Sequence, residues 1–169
     1  GFRPAEAVET LECWELALER RAGPSVLALT RQDLPALRTS GEPTLNRCRG
    51  GAYVLREPER ARDVTLLATG SEGELAPAAA DRLAQDGVAA AGGAVPSLGP
   101  FPEAYRGEVL GTAPRVSVEA GVTFGWSRWR VAASAGIDTF GVSAPYEQAY
   151  AHFGLTPEGV AALARGAIG

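Results

Sequence analysis

Four apolar stretches, each giving way to a polar turn that contains glycine or proline, constrain the fold of this chain more than any other feature. They lie at residues 27–35, 66–72, 116–121 and 138–145. Apolar runs that stop abruptly at a turn are typical of buried parallel strands reaching the edge of a sheet. Helical periodicity occurs between them, so the sequence predicts an α/β fold in which helices cover both faces of a mostly parallel sheet.

The first thirty-five residues predict one β-α-β crossover unit. Residues 5–21 carry apolar side chains at helical spacing, and Gly23-Pro24 ends that pattern. Residues 25–30 form a continuous apolar run, which indicates a buried parallel strand. One such unit cannot close a hydrophobic core, so we expect it to be a fragment of a larger α/β domain.

A second α/β pattern follows a polar, turn-rich segment at residues 36–48, which we interpret as part of a linker. Gly73 and Pro77 disfavour an early helix start, so the helix after the second strand of this pattern should begin near Leu75. The strands are predicted at 52–56, 63–69, 88–96, 115–119 and 135–138, and the helices at 75–86, 103–110, 146–153 and 157–167.

Composition excludes several classes of function. The 169 residues carry a net charge of −4, which is not the basic balance that nucleic-acid binding requires. All 16 basic residues are arginine. Because arginine is so common in this chain, a functional role for any one of them has to be inferred from its position in the fold. The sequence shows neither a charged leader nor a long apolar run, and we expect a cytoplasmic protein that does not bind membranes.

The few cysteine and histidine residues indicate neither a metal site nor a catalytic triad. Cys13 and Cys48 match no zinc pattern and are interpreted as isolated buried thiols. His152, the only histidine, stands at the end of a predicted helix, where we expect it to interact with terminal carbonyls. Trp126 and Trp129, with Phe124, are expected to pack in the core or in a subunit interface.

Arg31 is the strongest candidate for a functional side chain. It follows the first predicted strand, where a guanidinium is well placed to bind two oxygens of a phosphate. The alternative is a surface arginine paired with Asp33 or Glu42, which would contribute little to stability.

Two further strand ends carry polar groups. Thr69, Gly70 and Ser71 lie between an apolar strand and a helix, where they form either an anion site or a simple turn, and the turn is favoured. Glu119 is a candidate acid or base, but neither a histidine nor a second carboxylate is close to it in sequence. A structural role, with hydrogen bonds to loop amides, is therefore favoured for Glu119.

Taken in order, these motifs resemble the carboxyl-terminal part of a transketolase. Thr30-Arg31-Gln32-x-Leu34-Pro35 resembles the end of the pyrimidine-binding domain of that family. Phe2-Arg3-Pro4-Ala5 resembles the strand end before the last helix of the same domain, and Ala52-Tyr53-Val54-Leu55 the entry to the carboxyl-terminal domain.

The resemblance implies a division of the chain into three segments. Residues 1–37 would be the end of the pyrimidine-binding domain, 38–50 a linker, and 51–169 the carboxyl-terminal α/β domain. Some segments depart from the family pattern: Leu98-Gly99-Pro100-Phe101 replaces Trp-Glu-Leu-Phe, and the stretch 129–137 is compressed. Residues 89–94 hold only alanine and glycine, so we expect a weak strand there.

The resemblance also implies a function. Transketolases transfer a two-carbon ketol unit between sugar phosphates, using thiamine diphosphate and a divalent metal such as Mg²⁺ at the interface of a dimer. The resemblance implies that Arg31 contacts the sugar-phosphate substrate. The motifs that hold cofactor and metal have no counterpart in this chain. We therefore expect the chain to bind neither and to be inactive without the missing domains, whether these lie on the same or a separate polypeptide.

Two alternatives to a conventional transketolase stay open. One is a non-catalytic assembly or dimerisation module, or one half of a split thiamine-dependent enzyme. The other is a related thiamine enzyme, either a deoxyxylulose-phosphate synthase or the tail of a dehydrogenase β-subunit, and the Thr-Arg-Gln-x-Leu-Pro motif weighs against it.

Overall fold

A computed structural model of the chain describes residues 1–39, 45–97, 99 and 103–169. The predicted linker at 38–50 therefore lies partly outside the described residues, as do Glu42 and most of the segment 98–101 that departs from the family pattern.

The described residues form one mostly parallel, five-stranded sheet, as predicted. Its order is β1-β3-β2-β4-β5, and only the pairing of β1 with β3 is antiparallel. The strands are β1 (Tyr53–Arg56), β2 (Val64–Ala68), β3 (Ala90–Ala94), β4 (Arg115–Val118) and β5 (Ala133–Ala135).

The helices begin and end within about two residues of their predicted bounds. Thr156 caps the last helix by accepting a hydrogen bond from the Gly159 amide at 3.1 Å, with Pro157 at its first position. The helices are α1 (Ala7–Glu19), α2 (Leu75–Gln85), α3 (Glu103–Leu110), α4 (Tyr146–Phe153) and α5 (Pro157–Ile168). Short 3-10 helices occupy Arg47–Gly50, Gly70–Glu74 and Thr123–Trp129.

Both faces of the sheet are covered, which explains the apolar character of its central strand. All five residues of β2 are buried. Leu66 packs with the buried face of α2 and α5, whereas its neighbour Leu67 packs on the other face with Val109 of α3 and with Trp126. Alternate residues of a strand point to opposite faces, so a strand covered on both sides is apolar at every position.

The alanine- and glycine-rich segment forms a well-buried inner strand rather than a frayed one. All five residues of β3 are buried between β1 and β2. A Cβ atom at Gly93 would lie 3.0 Å from a methyl carbon of Leu67 and 3.5 Å from Val109. Glycine here makes room for larger neighbours, so packing outweighs the low strand propensity.

At residues 25–30 the parallel pairing is present, but the predicted burial is not found among the described residues. This segment makes a single parallel bridge, between Leu27 and Phe2, and Val26 and Leu29 remain 65% and 54% exposed. A strand needs hydrogen-bonded neighbours on both sides to be buried, and among the described residues only the Phe2 segment lies beside it. The β-α-β fragment is thus a helix between two extended segments joined by one bridge.

The last strand lies two to three residues earlier than the predicted range 135–138. It ends at Ala135, whose carbonyl accepts a hydrogen bond from the Glu119 amide at 3.0 Å. Beyond it, Asp138 turns back and accepts hydrogen bonds from the amide and hydroxyl of Thr123 at 2.8 and 2.7 Å. The chain after Ala135 therefore provides hydrogen-bond acceptors to the loop at Thr123 and does not extend the sheet.

No helix in the described part of the chain is long and apolar enough to cross a membrane.

Candidate functional site at the carboxyl edge of the sheet

The extended segment at the start of the chain crosses the carboxyl ends of two inner strands. The amide of Arg3 donates to the carbonyl of Pro96, just after β3, at 2.7 Å. The carbonyl of Arg3 accepts from the amide of Gly70, just after β2, at 3.0 Å. The region before the sheet is thus joined to the edge where open α/β sheets place their ligands.

A fully buried carboxylate, Glu72, forms the centre of this joint. It accepts hydrogen bonds from the Ser71 hydroxyl at 2.6 Å, from the Ala120 amide at 2.9 Å and from the Tyr150 hydroxyl. The Arg3 guanidinium adds an ion pair at 3.1 Å. Burying a charge is costly unless it is paired and hydrogen-bonded, and these four donors meet that requirement.

Glu119 is the second carboxylate of the joint. One of its oxygens pairs with the Arg3 guanidinium, and the other accepts a hydrogen bond from the Trp126 indole at 2.7 Å. Arg3 therefore bridges Glu119 and Glu72, which lie at the ends of two adjacent strands. Glu119 thus takes part in structural contacts, but its hydrogen-bond partners are side chains rather than the expected loop amides.

The turn formed by Thr69, Gly70 and Ser71 serves this joint. Gly70 has a φ of +63°, and a Cβ there would come within 3.1 Å of the Arg3 guanidinium. Glycine is thus required both by the backbone and by the close approach of Arg3. The Gly70 amide and the Ser71 hydroxyl already donate to partners within the chain, and Thr69 is buried.

Tyr150 connects the joint to α4. Its hydroxyl donates to Glu72 and lies 3.2 Å from the Ser71 hydroxyl. Burial, together with the negative charge of Glu72 and the hydrogen bond to it, raises the pKa of Tyr150 to about 12. The phenol is therefore held in its neutral form as a hydrogen-bond donor at neutral pH.

The Arg31 turn lies beside the same joint. Gln32, the next residue, contacts the Tyr150 hydroxyl. Asp33 lies near enough to Tyr146 for its negative charge to contribute to the raised pKa of that tyrosine. Arg31 itself is exposed. The structure shows no ion pair between Arg31 and Asp33, and Glu42, its other candidate partner, lies outside the described residues.

A second polar contact docks α1 against the region before β1. Glu9 is buried and accepts hydrogen bonds from the Tyr53 hydroxyl and the Ala5 amide, both at 2.6 Å. Burial raises the pKa of Glu9. Burial also acts to raise the pKa of Glu12, but hydrogen bonds from Arg38 and Cys48 outweigh it and hold that pKa below its usual value.

The two cysteines are buried, as predicted, but they are not isolated. Cys13 on α1 and Cys48 in the first 3-10 helix are free thiols in contact with each other. The hydrogen bond with Cys13, followed by burial, raises the pKa of Cys48. Both thiols therefore belong to the contact that docks α1.

The remaining candidates have structural positions. His152 lies in the last turn of α4, with its ring edge-on to Phe153 at 4.8 Å between centroids. Trp126 and Trp129 are buried in the core, as predicted, whereas Phe124 is 84% exposed. Within the described ranges, no group of three or more His, Cys, Asp or Glu side chains is arranged to hold a metal ion.

Sequence reasoning missed Arg3, Glu72 and Tyr150 as members of the site. Arg3 is separated by 69 residues from Glu72 and by 116 from Glu119, so no local pattern shows that they meet. The available signal was positional, because Arg3 and Glu119 directly follow strand ends and Glu72 lies four residues after the end of β2.

The fold and the joint define an open α/β domain that receives a preceding helical segment at the carboxyl edge of its sheet. A family model described as a transketolase-like carboxyl-terminal domain matches residues 51–156. A transketolase of Sinorhizobium medicae is 51% identical over 169 residues, covering 96% of this chain and 24% of that protein. One of Cereibacter sphaeroides is 46% identical, covering 97% of this chain and 25% of the relative.

The chain belongs to the transketolase family, and it spans about a quarter of the length of these relatives. Solved structures of transketolases also match this chain. A Pichia stipitis transketolase in complex with sedoheptulose 7-phosphate matches 99% of this chain and 25% of its own length, with a TM-score of 0.89 and 34% identity. A structure described as a split-gene transketolase, an inactive β4 tetramer, shares the fold with a TM-score of 0.80 and 24% identity, over 99% of this chain and 57% of that one.

Proposed function

We propose that this chain is the carboxyl-terminal part of an enzyme that transfers a two-carbon ketol unit between sugar phosphates. Support comes from relatives at 44–51% identity, all named transketolases, that match nearly the whole chain. In the complete enzyme, thiamine diphosphate and a divalent metal such as Mg²⁺ supply the chemistry. Residues outside this chain would hold them, and the enzyme would be a cytoplasmic homodimer.

The structural observation that supports a further domain beside this chain is the apolar face of α1. Leu11, Trp14 and Leu18 recur on one side of the helix and are 71%, 50% and 67% exposed. The opposite side, with Glu9 and Cys13, is buried against the segment before β1. A helix that buries its polar side and exposes its apolar stripe has no partner for that stripe among the residues that the structure describes.

We infer that the rest of a pyrimidine-binding domain packs on this stripe. Val26 and Leu29 of the neighbouring extended segment are also exposed, as residues of an inner strand would be without their sheet. On this basis we divide the chain into the end of that domain at 1–37, a linker at 38–50 and the carboxyl-terminal domain at 51–169.

Within the complete enzyme, Arg31 would contact the phosphate of the substrate. Its turn lies at the carboxyl edge of the sheet, through the contact of Gln32 with Tyr150, and its side chain is exposed. A guanidinium binds a phosphate through two parallel hydrogen bonds. For Thr69, Gly70 and Ser71 we propose the turn role, because the Gly70 amide and the Ser71 hydroxyl already bond within the chain.

The proposal is tested by a ketol-transfer assay with thiamine diphosphate and Mg²⁺. The 169-residue polypeptide alone should show no turnover, and adding the remaining segments of the complete enzyme should restore it. Clear turnover by the pure fragment would contradict the assignment, because the cofactor site would then have to lie within these residues.

A second candidate is one subunit of a split enzyme, in which a separate chain supplies the other domains. The observation that favours it is the shared fold with the split-gene protein, of which this chain covers 57%, against 24% of the Sinorhizobium medicae relative. Affinity purification from the native cells distinguishes the two. Recovery of this segment with a separate cofactor-binding chain would favour the split enzyme, and recovery as one long polypeptide would exclude it.

A further inference from the structure

A cavity of about 420 Å³ opens at the amino edge of the sheet, away from the joint described above. Four arginines from three parts of the fold line it: Arg106 of α3, Arg115 at the start of β4, and Arg128 and Arg130 at the end of the third 3-10 helix. None of its described lining residues is a carboxylate. This is a concentration of positive charge on a chain whose net charge is −4.

Several arginines elsewhere in the chain pair with carboxylates, although Arg20, Arg21 and Arg31 form no salt bridge with a described residue. Arg38 pairs with Glu12 at 2.6 Å, and Arg60 pairs with Asp63. Arg106 and Arg130, in contrast, form no salt bridge with any residue that the structure describes. Like charges gathered around one cavity repel each other, so an anion bound there would be favoured over water.

Arg115 forms the rigid base of the cavity. Its guanidinium donates to three backbone carbonyls, those of Leu110 at 3.3 Å, Gly111 at 2.8 Å and Trp129 at 3.1 Å. These bonds fix the end of α3 to the end of the 3-10 helix, so that Arg106, Arg128 and Arg130 line the same cavity. Carbonyls do not cancel the charge of Arg115, which therefore adds to the positive potential.

The backbone at Arg130 is specially arranged. Arg130 has a φ of +51°, and it is the only non-glycine residue with a positive φ in the described part of the chain. This left-handed conformation is unfavourable for an arginine and ends the 3-10 helix beside the cavity. A glycine or asparagine would adopt it more readily, so the conformation alone does not explain an arginine here.

We propose that this cavity binds an anion with two linked phosphate groups, as a regulatory or structural ligand separate from the substrate. A single phosphate is satisfied by one or two guanidinium groups, whereas four arginines around one cavity suit a diphosphate. The cavity lies at the opposite edge of the sheet from the Arg31 turn, so its ligand would not occupy the substrate-phosphate position.

Isothermal titration calorimetry with inorganic pyrophosphate tests this in the complete polypeptide that contains the chain, saturated with thiamine diphosphate and at low ionic strength. The double variant Arg106→Gln with Arg130→Asn removes two charges, and asparagine tolerates the left-handed backbone. The matched control, Arg20→Gln with Arg21→Asn, removes two exposed arginines outside the cavity. Circular dichroism verifies that each variant is folded.

The native protein should bind pyrophosphate more tightly than orthophosphate, and added salt should weaken binding. The cavity variant should lose at least about tenfold in affinity, whereas the control should change by less than about twofold. If the double variant does not fold, Arg106→Gln alone should weaken binding about threefold, since Arg106 is an exposed helix residue.

Three results would overturn the proposal. The first is that the native protein shows no pyrophosphate binding. The second is an equal loss of affinity in the cavity and control variants, which would indicate a general effect of net charge. The third is that binding disappears in Arg31→Gln and is unchanged in the cavity variant, which would place the pyrophosphate in the substrate site.

Discussion

The two edges of the sheet differ in how their charged side chains are paired. At the carboxyl edge, Glu72 and Glu119 are buried, and both are joined to Arg3 and to further donors within the chain. At the amino edge, Arg106 and Arg130 face an open cavity without described carboxylates. The carboxylates of the first edge have charged and hydrogen-bonding partners within the chain, whereas Arg106 and Arg130 of the second edge have no carboxylate partner among the described residues.

The difference separates a structural polar cluster from a candidate binding site. Buried polar groups are stable when their hydrogen bonds are met within the protein, and such a cluster holds two segments together. Charged groups that converge on open space without counter-charges are instead available to a ligand. By this criterion the carboxyl edge is a joint with Arg31 beside it, and the amino edge is a site.

The largest expected effect is on the joint. Replacing Glu72 with glutamine should lower the free energy of unfolding by about 3 kcal/mol, because Arg3 loses a charged partner and the new amide group faces existing donors. Urea denaturation followed by circular dichroism measures it. The control Glu59→Gln, at an exposed position outside the joint, should change stability by less than about 0.5 kcal/mol.

If the two variants were equally stable, the joint would contribute no more than an ordinary surface position, and the contrast between the edges would fail.

A smaller loss is expected for Tyr150→Phe. The change removes one hydroxyl that donates to Glu72 and leaves the ring in place. We expect a loss of about 1 kcal/mol, since three other donors still satisfy the carboxylate. Thermal unfolding at neutral pH measures this change, and a loss as large as that of Glu72→Gln would show that the hydroxyl rather than the carboxylate organises the joint.

Alkaline pH provides a test that concerns the joint alone. The pKa of Tyr150 is raised to about 12 in the folded protein, above its ordinary value near 10. Its contribution to stability is therefore complete below about pH 10 and decreases as the pH rises towards about 12. Arginines keep their charge throughout this range, so the amino edge should not respond.

The measurement is the unfolding free energy as a function of pH for the native chain and for Tyr150→Phe. Tyr53, whose pKa burial also raises, titrates in both proteins and cancels in their difference. The difference between the two curves should be constant below about pH 10 and decrease as the pH rises towards about 12. A constant difference across the range would contradict the environment assigned to Tyr150.

The smallest expected effect is at the amino edge. Arg106→Gln with Arg130→Asn should leave stability within about 0.5 kcal/mol of the native value, or raise it slightly, because like charges are removed and no ion pair with a described residue is broken. Thermal unfolding measures this. A loss of several kcal/mol would mean that these arginines hold the fold together instead of facing a ligand.

Features that depend on residues close together in the sequence could be predicted, whereas contacts between residues far apart in the sequence could not. The strands and helices follow from local periodicity, and the start of α2 at Leu75 follows from Gly73 and Pro77. The missing burial at residues 25–30 has a physical reason, since local pattern indicates what a segment would form with partners and does not reveal whether they are present.

The site was less predictable than the fold. Arg31 and the Thr69–Ser71 turn were found because each follows a strand end. The contact of Arg3 with Glu72 and Glu119 depends on the order of the strands in the sheet, and local sequence patterns do not reveal that order. The arginine cavity likewise arises only when the ends of α3 and the third 3-10 helix converge.

The central claim is that Arg31, at the carboxyl edge, contacts the phosphate of a sugar substrate in the complete enzyme. Steady-state kinetics of Arg31→Gln in that enzyme, with phosphorylated and unphosphorylated ketol donors, tests it most directly. The account predicts that KM for the phosphorylated donor rises by about tenfold or more, while the unphosphorylated donor is nearly unaffected. Equal losses for both donors, or no change for either, would contradict it.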